Sequence, residues 1–203
     1  NNLRNYMNNF IYTQQLIEFI KNSPTSYHAV DNMKKFLHSA GFESLDENEP
    51  WCLKSSNGYY VTRNDSSIIA FIVGAKESIE TGIRLIGTHT DSPCLKIKPN
   101  PEIHKKTYFQ LGVEVYGGVL LNTWFDRDLS IAGKVTYKNK DNKLAAALID
   151  IKEPIAVIPS LAIHLNRNAN KGYIVNPETE MRPILTECHK NNEDFRDILA
   201  EKL

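Results

Sequence analysis

The sequence predicts an α/β chain in two parts, an incomplete α/β sandwich over residues 1–95 followed by a β-rich domain over residues 96–203. Three observations carry this expectation. Two segments with apolar residues at helical spacing lead the chain. Nearly continuous apolar runs follow them, of the kind found in sheets covered on both faces. Beyond Pro93 the texture changes to alternating or short strands joined by Gly, Asn and Asp turns.

Between residues 9 and 22, Phe10, Ile11, Leu16, Ile17, Phe19 and Ile20 recur at roughly helical spacing up to the Ser23-Pro24 break, which predicts an amphipathic helix. A second helix begins near Ser26, whose hydroxyl suits an N-cap. It carries Tyr27, Val30, Met33, Phe36 and Leu37 as far as Gly41, a natural stop. The two helices are expected to pack together. Strands are expected at residues 59–62, 67–73 and 83–88, which are rich in Ile, Val, Tyr and Thr. The runs Ser67-Ile-Ile-Ala-Phe-Ile-Val73 and Arg84-Leu-Ile-Gly-Thr88 barely alternate, so both are expected to be buried on both faces. These strands are too few for a complete doubly wound sheet.

From residue 96 the stretch Lys96-Ile-Lys-Pro-Asn-Pro101 is basic and broken by proline. Strands are expected at residues 110–116, 133–137 and 143–149, mostly antiparallel with one face solvated. Gly117-Gly118 predicts a bend or bulge, where a side chain would crowd the backbone. Residues 187–203 read as a charged helix with Phe195, Ile198, Leu199 and Leu203 on its apolar stripe.

The composition excludes several classes of function. A chain of 203 residues can bury a sizeable core, with 41% hydrophobic and 24% charged residues, which is not the profile of a disordered or fibrous protein. Lys+Arg and Asp+Glu both number 24, so no global field favours nucleic acid or an anionic membrane surface. The longest apolar runs are six residues, against the ~20 of a spanning helix. Residues 1–21 lack the apolar core and small-residue site of a signal peptide. The three cysteines, Cys52, Cys94 and Cys188, are odd in number and lack CxxC spacing, which predicts reduced thiols and a cytoplasmic address. No nucleic-acid or membrane partner is expected. The chain opens on Asn1 and its first methionine is Met7, so a trimmed start is expected.

GxGxxG, Walker A, GxSxG and HExxH patterns do not occur. The chemistry-bearing string is Gly87-Thr88-His89-Thr90-Asp91-Ser92-Pro93, at the C-terminal end of the expected strand over residues 83–88, the edge where open α/β sheets form active sites. On an extended chain, alternate residues face the same way, so His89 and Asp91 can share one pocket. A metal-bound histidine usually hands its other ring N–H to a carboxylate, and such a pair is available here. The same tripeptide also suits a hydrogen-bonded histidine beside a turn aspartate. A hydrolytic relay through Ser92, His89 and Asp91 is disfavoured, because three residues within four positions lie too close and are badly oriented, and no nucleophile-elbow turn supports them.

The surroundings extend the pattern: His89-Thr-Asp-Ser-Pro-Cys-Leu-Lys96, Val113-Glu-Val-Tyr-Gly-Gly118, Thr123-Trp-Phe-Asp-Arg-Asp-Leu129 and Ser160-Leu-Ala-Ile-His-Leu-Asn-Arg-Asn168. With Ser23-Pro-Thr-Ser-Tyr-His-Ala-Val30, Ala40-Gly-Phe42, Ile68-Ile-Ala-Phe71, Asn176-Pro-Glu-Thr-Glu-Met181 and Pro183-Ile-Leu185, this series resembles the aspartyl aminopeptidase family of dinuclear zinc metallopeptidases. The resemblance runs in order and with near-family spacing from about Phe19 to Thr186.

It implies a hydrolase of N-terminal acidic residues. Zn2+, two ions per site in the family with Mn2+ or Co2+ as alternatives, would activate a water toward the first peptide bond of an Asp- or Glu-started peptide. By the same resemblance His89 is a zinc ligand and Asp91 its carboxylate partner. His164 would reach into a neighbouring subunit's active site and contact substrate, the β-rich part would be an inserted dimerisation domain, and the partners would be copies of the chain in dimers and dodecamers. Family members are much longer, with the bridging Asp, the Glu base and its neighbouring Glu ligand, and the last Asp and His ligands after the inserted domain. Those motifs do not occur in these 203 residues. A closed zinc site needs about three or four protein ligands, and only His89 is assigned. The chain is therefore expected to be an N-terminal portion, inactive alone, with a non-catalytic self-assembling remnant as the alternative.

Other residues carry plainer expectations. Trp124-Phe-Asp-Arg-Asp128 is expected to be a packed aromatic pair with an Asp–Arg hydrogen bond fixing a turn. His28 is expected to pack structurally, His38, His104 and His189 to face solvent, and Cys94 to be a small buried apolar residue.

Overall fold

The second helix begins one residue later than its cap. Thr25, in an extended conformation, accepts a hydrogen bond from the His28 backbone N–H, so Thr25 rather than Ser26 is the N-cap. Gly41 ends the turn beyond this helix at φ +82°, the left-handed conformation that a glycine adopts without a Cβ clash. The computed structural model describes residues 2–76, 78–187 and 194–203, and the chain divides into two units, Asn1–Asp91 and Ser92–Leu203. The division falls a few residues ahead of the expected boundary at Leu95, because Cys94 and Leu95 already pair with Tyr116 and Val115.

In the first unit, helix α1 (Asn2–Lys21) precedes α2 (Ser26–Ser39). The two meet through Phe19 and Phe36, ring centroids 6.1 Å apart, and through Asn32, whose side chain donates to the Asn22 carbonyl. Strands β1 (Glu43–Ser44), β2 (Gly58–Arg63) and β3 (Ser67–Ile72) form one sheet in that order, β1 parallel to β2 and β2 antiparallel to β3. Helix α3 (Ser78–Thr81) follows. The buried residues are Ala29 and Val30 of α2 with Tyr59, Tyr60 and Val61 of β2. A Cβ on Gly58 would stand 2.8 Å from the Phe42 ring, so β2 can start here only on glycine. Gly58→Ala is expected to destabilise this unit by about 1–3 kcal/mol, the usual penalty for overpacking, read as a lower urea midpoint with the helical signal intact before the transition.

Two expectations fail in this unit. Residues 83–88 pair with no strand among the described residues, and Ile83, Leu85 and Ile86 are 82–91% exposed. β3 is a sheet edge instead of a strand covered on both faces, and Ile69 and Ile72 stand about two-thirds exposed. Burial on both faces requires a neighbouring strand on each side and layers above and below, and the described residues do not provide them. The stripe of α1 is likewise open, with Leu16, Ile17 and Ile20 exposed.

The second unit contains β4 (Cys94–Lys105), β5 (Tyr108–Tyr116), β6 (Leu129–Lys138), β7 (Leu144–Ala156), α4 (Pro177–Glu180), β8 (Ile184–Glu187) and α5 (Phe195–Ala200). The sheets β4-β5-β8 and β6-β7 are antiparallel throughout and are linked by a bridge between Val157 and Ile184. The stretch read as proline-broken is a strand. The register steps from Ile97 opposite Val113 to Glu102 opposite Leu111, so Pro99 and Pro101 sit in an irregularity that asks for no ladder hydrogen bond. β7 treats Pro154 in the same way, between pairings Ile131–Ile151 and Leu129–Ala156. Phe109, Leu111 and Val113 alternate along β5 into a core shared with Ile158, Met181 and Phe195. β5 ends at Tyr116, and Gly117 follows at φ +74° in the expected bend.

At the C-terminal end, Phe195 is buried and Ile198 and Leu199 pack beside it, whereas Leu203 is half exposed. Within the helix expected over residues 187–203, Cys188, His189 and the rest of residues 188–193 lie outside the described residues. No helix among the described residues is long and apolar enough to cross a membrane.

Candidate functional site

The β2–β3 hairpin turns through Asn64 and Asp65 at φ +54° and +53°, residue types that tolerate the left-handed region. Arg63 at the end of β2 forks onto Glu47, with Nη2 2.6 Å from Oε1 and Nε 3.1 Å from Oε2. These charge-assisted bonds hold the Glu47 carboxyl below its ordinary range. The Thr90 hydroxyl donates to the Ser66 carbonyl of this turn at 2.8 Å. Thr90 thereby fastens the otherwise irregular segment carrying His89 and Asp91 to the hairpin, with its neighbours on either side left to face elsewhere.

His89 Nδ1 lies 2.8 Å from the Asp91 main-chain oxygen and 3.3 Å from the Asp91 carboxylate Oδ1. Both partners can only accept, so in the neutral ring Nδ1 carries the hydrogen and Nε2 carries the lone pair. The His89 side chain is 83% exposed, which leaves Nε2 accessible to a ligand. This donor set fits one ligand position of a divalent ion, oriented by a carbonyl and a carboxylate. Among the described residues no group of three or more His, Cys, Asp and Glu could hold a metal ion.

The second unit carries the other residues singled out from the sequence. His164 is exposed, in a turn closed by bonds from the Leu165 and Asn166 amides to the Ala162 carbonyl. The aromatic pair Trp124 and Phe125 packs partly buried against the core, as expected, but the expected Asp–Arg bond is replaced. Asp126 takes its bonds from Ser160 instead of Arg127: the Ser160 hydroxyl donates to Oδ2 at 2.5 Å and the Ser160 amide to Oδ1 at 2.9 Å. These two bonds hold the Asp126 carboxyl below its ordinary value. The chain returning after Ile158 presents two donors to the Asp126 carboxylate at once.

Sequence reasoning missed the Thr90 and Asp126 anchors because both partners are distant in sequence. The only signal was the polar residue between His89 and Asp91. His28 has Nδ1 2.8 Å from the Thr25 hydroxyl at the start of α2, a structural contact. His38 is exposed; His104 is exposed while stacking on Phe109 at 5.0 Å. Cys94 is half-buried instead of fully buried, and Cys52 is exposed.

Residues 19–201 match the family described as Aminopeptidase I zinc metalloprotease (M18). A probable M18 family aminopeptidase 2 of Ectopseudomonas mendocina is 55% identical over 94% of this chain and 44% of its own length. The chain thus spans less than half the length of such curated relatives. Among solved structures, Chaetomium thermophilum mApe1 superposes with a TM-score of 0.79 at 37% identity, over 88% of this chain and 40% of that one. The S. cerevisiae mApe1 dodecamer gives a TM-score of 0.68 at 30% identity, over 87% of this chain and 48% of that one. The mixed α/β architecture is the one these neighbours share with the chain.

Proposed function

Because the chain belongs to the M18 family of aminopeptidase I zinc metalloproteases, we propose that it supplies part of a zinc aminopeptidase that releases N-terminal Asp and Glu from peptides. The observation that carries the reading is the His89–Asp91 geometry, in which Nδ1 is committed to Asp91 and the Nε2 lone pair is left exposed for a metal ion. Bound zinc would activate a water and polarise the scissile carbonyl. His89 would hold one ion through Nε2. Asp91 would fix the tautomer and ring orientation through Nδ1, and Thr90 would hold both in place from the hairpin. The remaining ligands and the proton-accepting carboxylate would come from elsewhere in a longer protein. Mn2+ or Co2+ would serve in place of zinc at a site of this kind.

The first unit is proposed as the N-terminal part of the peptidase domain and the second as the inserted dimerisation domain. In homo-oligomers, dimers or a dodecamer like that of the S. cerevisiae relative, His164 would enter a neighbouring subunit's site and contact substrate. The odd number of cysteines and their lack of CxxC spacing support a cytoplasmic address.

The test is made on the full-length protein that carries this sequence. Peptides beginning with Asp, Glu, Asn or Leu are incubated before and after chelation, then with Zn2+, Mn2+ or Co2+ restored. Release of Asp and Glu that disappears on chelation and returns with metal is the expected result. Equal release of all four residues would reject the acidic specificity, and activity indifferent to chelator would reject the metal mechanism. A reading frame that stops at Leu203 would leave the self-assembling remnant as the function.

A further inference from the structure

We propose that Asp126 is a positioning residue for the segment that carries His164. This rests on the reading of His164 as a substrate-contacting residue. Asp126 closes a three-point clasp: its own amide donates to the Ile158 carbonyl at 2.9 Å, and its carboxylate accepts from the amide and the hydroxyl of Ser160 at 2.9 and 2.5 Å.

The clasp sits where regular structure ends. Ile158 is fully buried in the core of the second unit, whereas from Ser160 to Leu165 the chain is irregular and exposed. His164 follows four residues after Ser160, in the turn held by the Ala162 carbonyl. Among the described residues, the last side-chain tether before His164 is therefore the Asp126 carboxylate. On the other side, Asp126 follows Trp124 and Phe125, which lie against the same core. The clasp transmits the rigidity of the core to the base of the His164 segment, so the side chain at its tip does not have to be located by the segment alone. The residue type fits as well: Asp126 stands at φ +56°, where Asp is tolerated better than alanine.

The test uses the full-length oligomer. Asp126→Gly removes the carboxylate without a left-handed backbone penalty, Asp126→Asn retains an acceptor for the Ser160 amide, and His164→Ala removes the group being positioned. Asp126→Gly is expected to lower kcat for an Asp-started peptide about 10- to 100-fold, the range a misplaced group costs, with metal content and thermal midpoint close to wild type. Asp126→Asn is expected to recover most of that loss. The Asp126→Gly/His164→Ala double variant is expected to be no slower than His164→Ala alone, because both changes remove the same positioned group. Hydrogen exchange should quicken at the Ser160 amide and at those of Leu165 and Asn166 in Asp126→Gly.

Additive losses in the double variant, or a full kcat in Asp126→Gly, would overturn the positioning role. A His164→Ala enzyme with wild-type kcat would instead overturn the reading of His164 on which the inference rests. The two failures are thus separable.

Discussion

His89→Ala in the full-length protein is expected to reduce release of N-terminal Asp by at least about 10³-fold, equivalent to about 4 kcal/mol of transition-state stabilisation, and to lower bound metal per subunit. The side chain is 83% exposed and its Nδ1 side is taken up by Asp91, so its removal leaves no cavity and no buried unpaired group. Stability of the fold is therefore expected to stay within about 0.5 kcal/mol of wild type, as for surface substitutions in general. Metal analysis and turnover on the same preparations check the prediction. Wild-type turnover with wild-type metal content would remove His89 from the list of ligands. An intact activity with an altered metal ratio would instead place His89 at an ion the reaction does not use.

Phe109→Ala is expected to cost the second unit about 3–5 kcal/mol, a large part of the roughly 5–15 kcal/mol that keeps a domain folded. Phe109 is fully buried, its ring stacked under His104 and its strand paired on both sides, by β4 at His104 and by β8 at Thr186. Loss of the ring removes apolar contact from a core that also holds Leu111, Met181 and Phe195 and cannot close the gap without moving strands. A urea midpoint for unfolding of residues 92–203 reads the effect. Leu144→Ala, at a side chain 77% exposed, is the paired control and should shift the midpoint little. Similar midpoints for the two variants would show that the β5 face is not the core of this unit.

Much of the local structure was legible because it is encoded locally. The helix over residues 26–39 has its cap, stripe and stop within sixteen positions of one another. The bend at Gly117 and the antiparallel strands expected around residues 110–116, 133–137 and 143–149 follow from turn residues and alternation. The prolines of β4 misled for the opposite reason. A proline argues against a strand unless an edge position or a register shift accommodates it, and β4 has both only once β5 lies alongside.

The site divides in the same way. His89 and Asp91 were legible as a pair, since two positions along an extended segment bring them together whatever else the chain does. The nearer contact of His89, to the Asp91 carbonyl, depends on a backbone path that no residue type specifies.

The sequence by itself determined the family, the two leading helices, several of the antiparallel strands and the histidine–aspartate pair, because each rests on residues close together in the chain or on a series of short motifs. Only the tertiary structure decided that Ile83, Leu85 and Ile86 lie open, that Thr90 hangs from Ser66, and that Asp126 binds Ser160 in preference to Arg127. Burial and hydrogen-bond partnership are properties of what stands opposite a residue. An apolar run specifies a surface to be covered, and a carboxylate specifies a donor to be found, but neither names the distant segment that meets it.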